Sequence, residues 1–274
     1  MVEASPGALR IGIAGLGAIG MAVARRLDAG IDGLALVAVA ARDLARARAR
    51  VADFRAPPEV CAAPRLAEHA EVVVECAPAA AFRAIAEPVL AAGRTLVPAS
   101  VGQLLAHPDL VELGRRSGAR IVVPTGALLG LDAVRAAAEG EITAVTMVTR
   151  KPPASLAGAP FLAEAGISLD GLTAPLKVFA GSAGEGARGF PANVNVAAAL
   201  SLAGIGPERT RLEVWADPAL SRNVHHIEVE ADSARFSMTI ENVPSADNPR
   251  TGRITALSIV ALLRRLVSPL TVGS

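Results

Sequence analysis

The sequence has few of the features that define several large classes of protein. Its 274 residues include only two cysteines, Cys61 and Cys76, which provide neither a disulfide framework nor a metal-binding spacing. No apolar run approaches the roughly 20 residues that a membrane-spanning helix needs. Lysine and arginine are scattered and the net charge is only +1, which argues against nucleic acid or an anionic membrane as the main partner. These absences favour a protein whose partner is a small molecule.

The beginning of the chain, "MVEASPGALR", lacks the basic start and apolar stretch of a signal peptide. Hydrophobic residues make up 52% of the sequence and charged residues 19%, so we expect a folded chain. We therefore expect a cytoplasmic protein with one large domain or two smaller ones. The two cysteines are expected to be reduced structural thiols, and we expect no bound metal.

The first half of the chain alternates apolar runs with helical patterns. The runs are "LRIGIA" (9–14), "LALVAVA" (34–40), "VVVECA" (72–77), "TLVPAS" (95–100) and "RIVVPT" (120–125). Near-continuous apolar strands separated by helices indicate a parallel sheet that is covered on both faces. The pattern predicts a doubly wound, Rossmann-type α/β domain of about six strands over residues 1–127.

The second half predicts a different architecture. Five strand-like segments, mostly with alternating polarity, surround one clear helix, "VNVAAALSLAG", which ends at Gly204. This pattern predicts an α+β domain over residues 128–251, with an open sheet that packs one face on helices. A last helix, over residues 253–266, is apolar nearly all round, so we expect it to be buried against the first domain or a partner chain. The segment 252–274 is predicted to complete the first domain.

A glycine motif carries the first chemical signal. It reads Gly15-Leu16-Gly17-Ala18-Ile19-Gly20, and it follows a predicted strand and opens a predicted helix, as in dinucleotide-binding proteins. Gly15 permits the tight turn, Gly17 leaves room for a pyrophosphate, and Gly20 lets the helix lie close to the sheet. The N–H groups of the first helical turn, including those of Ala18 and Ile19, are then available to the phosphates. The alternative is a glycine-rich turn without a ligand.

The position that selects between NAD and NADP is unusual. About 20 residues after the motif an acidic residue usually binds the adenine ribose. Here the second strand ends in "VAVAARD", which puts Arg42 near that place and Asp43 one step later. Arg42 can bind the 2′-phosphate of NADP by charge-assisted hydrogen bonds. The alternative is that Arg42 only begins a solvated basic helix, so we predict NAD or NADP as cofactor, with NADP favoured.

Two of the four histidines are adjacent, in "SRNVHHIEVE". Alternate residues of a strand face opposite ways, and His225 shares parity with apolar Ile227 while His226 shares parity with Glu228. His225 is therefore predicted to face the core and His226 the solvent. Burying an imidazole costs free energy unless the ring forms hydrogen bonds. The parity of the strand alone is equally consistent with a structural histidine and with a catalytic one.

Several motifs together resemble one family of enzymes. The segments "GIAGLGAIG", "VVVECAP", "PASVGQL", "PTGALLGLDAV", "TRKPP", "FPANVNVAAALSLAGIG", "ADPALSRNVHHIEVE" and "DNPRTG" resemble the L-aspartate dehydrogenases, from about residue 10 to residue 265. The resemblance implies oxidative deamination of L-aspartate to oxaloacetate and ammonia through iminoaspartate, an intermediate that also links the family to pyridine nucleotide biosynthesis. It further implies a cofactor domain, a substrate and dimerisation domain, and a homodimer.

Site residues follow from the same motifs. The resemblance implies His225 as the active-site histidine, and Ala127 of "PTGALLG" and Asn195 of "ANVN" as contacts on the nicotinamide side. We also assign Ala77 of "VVVECAP" to the cofactor and Ser100 of "PASVGQL" to the substrate, and we expect Asn193 to cap a helix. The chain departs from the family's frequent "HEI", since it reads "HHI", and it has "EADSARF" where an acid–glycine pair often follows the strand.

The chemistry of amino-acid oxidation is consistent with these residues. Hydride transfer needs an uncharged amine and water must then add to the imine, so both steps need a base, which we expect to be the imidazole of His225, titrating near neutrality. A dicarboxylate also needs cations, and Lys151 is the best candidate, ahead of Arg150, Arg222 and Arg250. The alternative for Arg150-Lys151 is a solvated surface pair.

Two alternative functions remain. Another two-domain NAD(P)-dependent enzyme, such as a dihydrodipicolinate reductase or a sugar-type oxidoreductase, would share the first domain. The "EKP" step typical of the sugar-type family is not found, since the region reads "PASVGQ". The second alternative is a protein that senses NAD(P) without turnover.

Overall fold

The computed structural model describes residues 7–190, 194–245, 248 and 251–273. The chain divides into two compact units. The first contains the residues up to Pro124 and the segment Thr255–Thr271, and the second contains Thr125–Ile254 and the last residues from Val272 onward. None of the helices in the described ranges is long and apolar enough to cross a membrane.

The first unit is built on a six-stranded sheet in which every pair of neighbouring strands is parallel. The strands are β1 (Leu9–Ala14), β2 (Leu34–Ala40), β3 (Glu59–Cys61), β4 (Val72–Glu75), β5 (Thr95–Pro98) and β6 (Arg120–Ile121). Their order is β3-β2-β1-β4-β5-β6, so the winding direction reverses between β1 and β4. In open α/β sheets ligands bind at the carboxyl ends of the strands beside such a reversal. This architecture confirms the predicted fold class.

Helices connect the strands of the first unit, and their apolar faces pack on the buried strands. They are α1 (Ala18–Asp28), α2 (Leu44–Val51), α3 (Leu66–His69), α4 (Phe82–Ala91), α5 (Gly102–Ala106) and α6 (Pro108–Ser117). Two strand predictions differ from the structure. The short β3 was not predicted, because three residues after two prolines give no alternation to detect, and β6 ends at Ile121, well before residue 125.

The last helix, α12 (Arg253–Val267), has one buried face and one exposed face. Ile259, Val260 and Leu263 are buried in the core of the first unit. On the same helix Ile254 is 40% exposed and Leu257 is 49% exposed. The helix therefore packs one face on the first unit, as predicted, and leaves apolar residues of another face exposed in the single chain, because a helix that packs on a sheet buries only the stripe that meets it.

The second unit contains a five-stranded mixed sheet. Its strands are β7 (Ile142–Lys151), β8 (Leu176–Ser182), β9 (Thr210–Ala216), β10 (Asn223–Ala231) and β11 (Arg235–Asn242), in the order β11-β10-β7-β9-β8. Its helices are α7 (Leu131–Ala138), α8 (Pro153–Leu156), α9 (Pro160–Glu164), α10 (Ala183–Gly189) and α11 (Asn195–Ala203). One face of the sheet joins α7 and α11 in an apolar core, as the alternating polarity of the strands predicts.

The opposite face of this sheet is polar. Glu213 forms an ion pair of 3.2 Å with Lys177 and accepts a hydrogen bond from Trp215. The guanidinium of Arg150 lies 4.9 Å from the centre of the Trp215 ring and forms an ion pair with Asp217. Arg150 and Lys151 therefore lie on opposite faces of β7, since adjacent residues of a strand point in opposite directions.

Candidate active site

The glycine motif forms the loop between β1 and α1. Gly15 has φ +91°, a conformation that side chains disfavour, and a Cβ there would lie 2.6 Å from the carbonyl oxygen of Cys76. A Cβ on Gly20 would lie 1.9 Å from the carbonyl oxygen of Gly15. Gly17 differs, because no atom beyond the adjacent residues of the chain lies within 4 Å of the place where its Cβ would be. The fold itself thus requires Gly15 and Gly20, whereas the absence of a side chain at Gly17 leaves an open space.

That open space lies at the beginning of a helix. Gly17 is the N-cap of α1, and no side chain caps the helix there. The N–H groups of Ala18, Ile19 and Gly20 belong to the first turn of the helix, where backbone N–H groups have no hydrogen-bond acceptor within the helix. An open space in front of free backbone donors fits the pyrophosphate of a dinucleotide. Arg50 of α2, which the sequence did not single out, supports the loop by donating a hydrogen bond of 2.6 Å to the carbonyl of Leu16.

The residues after β2 lie at the same edge of the sheet. The N–H of Gly15 donates to the carbonyl of Ala40, the last residue of β2. Arg42 follows two residues later and is exposed. The carboxylate of Asp43 accepts a hydrogen bond of 2.9 Å from the N–H of Arg46, so it caps α2. Asp43 therefore already has a structural role, and Arg42 is the side chain left at the place where the ribose is usually recognised.

Ala77 and Ser100 are brought together by a residue that the sequence did not single out. Glu75, the last residue of β4, is completely buried. Its carboxylate accepts hydrogen bonds from the N–H of Ala77 (2.8 Å) and from the N–H of Ser100 (3.1 Å). The sequence does contain a sign of this role, since Glu75 is the one charged residue in an otherwise apolar run. Such a position is unusual because charged side chains are rarely fully buried.

His225 faces the core of the second unit and His226 does not, as parity predicts. His225 is 2% exposed, and its Nδ1 lies 3.2 Å from Oγ1 of Thr149, the residue opposite it on β7. The side chain of His226 is 41% exposed, and its Nδ1 lies 2.7 Å from Oγ1 of Thr239.

Lys151 lies on the same face of β7 as Thr149 and is only 4% exposed. The alternative of a solvated surface pair is therefore wrong for Lys151. Burial lowers the pKa of Lys151 to about 8. Burial, and then the charge of Lys151, lower the pKa of His225 to about 3. The expectation that His225 titrates near neutrality is wrong for the unliganded chain, because desolvation disfavours the imidazolium and a neighbouring ammonium repels it.

The remaining predicted residues are less closely grouped. Ala127 is held by its carbonyl, which accepts a hydrogen bond of 3.0 Å from Nδ2 of the buried Asn242. Asn195 is the half-buried first residue of α11, which has Val194 as its N-cap. Arg222 forms an exposed ion pair of 4.0 Å with Glu241, on the rim of the sheet. The predictions for Asn193 and Arg250 fall outside the described residues.

Within the described residues, no three His, Cys, Asp or Glu side chains come together in a way that could hold a metal ion. The first unit instead offers backbone donors and a cation at the edge of a parallel sheet, and the second offers a buried imidazole and a buried amine. A Rossmann-type unit with an open glycine loop, together with a unit that buries such polar groups, is typical of two-domain nicotinamide-dependent dehydrogenases.

Comparisons with known proteins identify the family. Residues 15–124 match the family described as "Homoserine dehydrogenase, NAD binding domain", and residues 132–266 match "Aspartate dehydrogenase, C-terminal". The chain is 58% identical to the L-aspartate dehydrogenase of Bradyrhizobium diazoefficiens, over 97% of this chain and 94% of that protein. It is 54% identical to L-aspartate dehydrogenase 3 of Bordetella bronchiseptica, over 97% of this chain and 98% of that protein.

Solved structures agree on the fold. The crystal structure of aspartate dehydrogenase from Thermotoga maritima covers 97% of this chain and 99% of its own, with a TM-score of 0.74 at 23% identity. A homoserine dehydrogenase from Thiobacillus denitrificans matches 94% of this chain and 73% of its own, with a TM-score of 0.60 at 14% identity. The chain belongs to the L-aspartate dehydrogenase family. This confirms the resemblance in the sequence, the prediction of an oxidoreductase, and NAD or NADP as its cofactor.

Replacing Gly17 tests whether the open space binds the nucleotide. Gly17→Val should lower the affinity for NADP at least about tenfold, because a branched side chain would occupy the space while the extended backbone of Gly17 (φ −71°, ψ −161°) accepts any residue. Calorimetric titration with NADP measures the affinity, and the melting temperature should stay near that of the parent. Gly20→Ala is the contrasting variant, since it should lower the melting temperature through its contact with Gly15. An unchanged affinity in Gly17→Val would exclude this location of the site.

Replacing Arg42 tests the choice of cofactor. Arg42→Asp should move the ratio of kcat/KM from NADP toward NAD, because a carboxylate repels the 2′-phosphate and accepts hydrogen bonds from a ribose hydroxyl. Steady-state kinetics with both cofactors measure the ratio. Arg48→Asp, an exposed substitution on α2 with the same change of charge, should leave the ratio unchanged. Equal shifts in the two variants would make Arg42 an ordinary surface residue.

Proposed function

We propose that the protein catalyses the NAD(P)-dependent oxidative deamination of L-aspartate to iminoaspartate, which water converts to oxaloacetate and ammonia. The observation that carries this proposal is the buried pair of Lys151 and His225 on one face of β7 and β10, in a member of the L-aspartate dehydrogenase family. Bound at the glycine loop, NAD or NADP would accept the hydride from Cα of the substrate.

In this proposal Lys151 binds a carboxylate of the substrate. Lys151 is only 4% exposed, and a carboxylate of a bound dicarboxylate would offset part of the cost of burying its ammonium. Below its pKa of about 8 Lys151 is charged, so this contact is present at neutral pH. An amino acid whose side chain has no carboxylate can form fewer ion pairs with the site. The buried amine therefore favours aspartate over smaller or uncharged amino acids.

His225 is proposed as the general base. Thr149 lies at Nδ1, which leaves Nε2 as the nitrogen that would take a proton from the water that adds to the imine. With a pKa of about 3, the imidazole of the unliganded chain is neutral but weakly basic. When a substrate carboxylate pairs with Lys151, the repulsion that lowers the pKa of His225 is offset and its basicity rises. Substrate binding would thus raise the basicity of His225 by removing the smaller of the two causes of its low pKa, while burial, the larger cause, remains.

The other assigned residues complete the proposal. Ala127 and Asn195 are proposed to contact the nicotinamide side of the cofactor, Ala77 the cofactor and Ser100 the substrate. The hydrogen bond from Asn242 supports the role of Ala127, because it fixes the backbone of that loop. A homodimer formed by the second unit and a cytoplasmic location, both expected from the sequence, remain predictions.

A panel of amino acids tests the reaction itself. With NAD and with NADP, the purified protein should reduce the cofactor in the presence of L-aspartate, and at least about tenfold more slowly with L-asparagine or L-alanine, since one lost ion pair to a buried amine costs more than about 1.4 kcal/mol. Nicotinamide absorbance measures the rate. Nucleotide binding without turnover of any amino acid would instead favour the sensing protein, and turnover of polyols alone would favour a sugar-type enzyme.

The adjacent histidines test the general base. His225→Asn should lower kcat by roughly 10²- to 10⁴-fold, the usual contribution of a positioned base, and should leave nucleotide affinity almost unchanged. His226→Asn is the matched control and should keep kcat within about threefold, as expected for a half-exposed side chain. Steady-state kinetics and calorimetry give both quantities. Comparable activity in the two variants would remove His225 from the mechanism.

The pH profile extends the same test. Lys151 loses its charge as the pH rises through about 8, so kcat/KM for aspartate should fall above that pH. Lys151→Met should raise KM for aspartate and abolish this fall. A profile of the parent that stays flat up to pH 10 would show that the charge of Lys151 does not bind substrate.

A further inference from the structure

Glu75 connects the carboxyl ends of three neighbouring strands of the first unit. It is the last residue of β4, and its register partners are Ala14 on β1 and Pro98 on β5. One oxygen of its carboxylate, Oε1, accepts hydrogen bonds from the N–H of Ala77 (2.8 Å) and from Oγ of Ser100 (3.2 Å). The other, Oε2, accepts from the N–H of Ser100 (3.1 Å). One buried carboxylate therefore fixes the residue that leaves β4 and the residue that leaves β5.

The glycine loop lies directly against this arrangement. The N–H of Cys76 donates to the carbonyl of Ala14 at 2.8 Å. A Cβ on Gly15 would lie 2.9 Å from Cα of Ala77, so the two backbones touch without an intervening side chain. A displacement of Ala77 would therefore change the position of the loop at Gly15. The hydrogen bonds of Glu75 control the edge at which the dinucleotide is proposed to bind.

The protonation state of Glu75 changes these hydrogen bonds. Burial raises the pKa of Glu75 to about 7, although the hydrogen bonds from Ser100 and Ala77 act in the opposite direction. An ionised carboxylate only accepts hydrogen bonds, which suits the three donors around it. A protonated carboxyl must also donate, and the N–H groups cannot accept. The one acceptor among these three donors is Oγ of Ser100, whose own hydrogen can then turn to the carbonyl of Ala77 at 3.4 Å.

The other ionisable groups on the surrounding elements do not take the place of Glu75 as the group that titrates at this edge of the sheet. Cys76 is the adjacent titratable group, and burial raises the pKa of its thiol well above the usual value, so it stays neutral. On β1, Arg10 is half-exposed and paired with Glu71 at 3.4 Å. On α4, Arg83 and Glu87 form an ion pair of 3.1 Å and are about half exposed. β5 carries no ionisable side chain.

We propose that Glu75 is a positioning residue for the nicotinamide dinucleotide, and that its ionised carboxylate holds Ala77 and Ser100 in the arrangement that binds the nucleotide. The inference rests on the proposed location of the cofactor at this edge. Above pH 7 most molecules carry the carboxylate and bind the nucleotide well. As the pH falls through 7 the protonated fraction rises and affinity falls. Nucleotide binding in turn lowers the pKa of Glu75, so the protein releases protons when it binds.

Calorimetry with NAD can measure that release directly. NAD is the probe because the 2′-phosphate of NADP would itself titrate, with a pKa near 6 as for other phosphate monoesters. Titrations at pH 7 in two buffers with different ionisation enthalpies should give different heats. The difference in heat, divided by the difference in ionisation enthalpy, gives the number of protons released. Between pH 8 and pH 6 the affinity of the parent should fall by up to about tenfold in total, the limit for one linked proton on a group whose pKa is about 7 in the free protein.

The variant Glu75→Gln tests whether the charge of Glu75 positions Ala77 and Ser100 or whether the shape of its side chain is enough. Glutamine has almost the same shape, but its amide group would face backbone donors, so NAD affinity at pH 8 should be lower than that of the parent and independent of pH between 6 and 8. The variant should release no protons. Glu71→Gln is the matched control. Glu71 lies just before β4, and its hydrogen bonds with Arg10 lower its pKa, so this variant should keep the proton release of the parent.

A second measurement on the parent covers the case in which Glu75→Gln does not fold. Carbon-13 NMR of labelled glutamate side chains should contain one carboxyl that titrates near pH 7, and NAD should move that midpoint lower. NAD binding with no proton release, or proton release that survives in Glu75→Gln, would overturn the role of Glu75 alone. Failure of NAD and NADP to bind at all would overturn the proposed function as well.

Discussion

The close contact between the glycine loop and the end of β4 is the constraint on which the first unit depends. Gly15 can take its positive φ and touch Cys76 and Ala77 only because it has no side chain. Gly20 then lets α1 begin directly over the same loop, since even a methyl group would meet the carbonyl of Gly15 at 1.9 Å. This contact fixes the direction of α1, and with it the direction in which the free N–H groups of the first turn point. The open space at Gly17 lies between these two glycines of the same loop.

Both units bury an ionisable group whose pKa is shifted by desolvation. For Glu75 three hydrogen bonds act against burial, yet its pKa still rises to about 7. For Lys151 burial alone accounts for the fall of its pKa to about 8. A core built for stability alone would be expected to carry apolar residues at such positions, since a well-packed apolar replacement is often as stable or more stable. Perturbed ionisable groups are concentrated at functional sites, and here both lie beside residues that the family motifs assign to cofactor or substrate.

Local patterns in the sequence predicted the parts of the site that depend on a single segment. The path from β1 through the glycine loop to α1 is contained in 20 consecutive residues, and the burial of His225 follows from the alternation of one strand. The environment of Glu75 depends on Ser100, which is 25 residues away, just after the end of another strand, and no periodicity contains that information. The low pKa of His225 has two causes. Its burial, the larger one, follows from the alternation of its own strand, whereas the charge of Lys151 acts on it from another strand, β7. Lys151 itself shares parity with Met147 and Thr149, so its burial was available from the sequence, but its charged neighbour Arg150 made a surface pair the simpler interpretation.

The adjacent histidines show how strand geometry separates two residues of the same type. His226 lies on the polar face, where Thr239 and Glu228 are within hydrogen-bonding distance and the side chain remains half-exposed. One residue earlier, His225 meets an apolar core, a threonine and the ammonium of Lys151, and the same imidazole remains neutral over the whole physiological range. In the proposed mechanism an anion at Lys151 would remove the repulsion that, after burial, lowers the pKa of the imidazole. One pair of residues would then join recognition of a carboxylate to activation of the base.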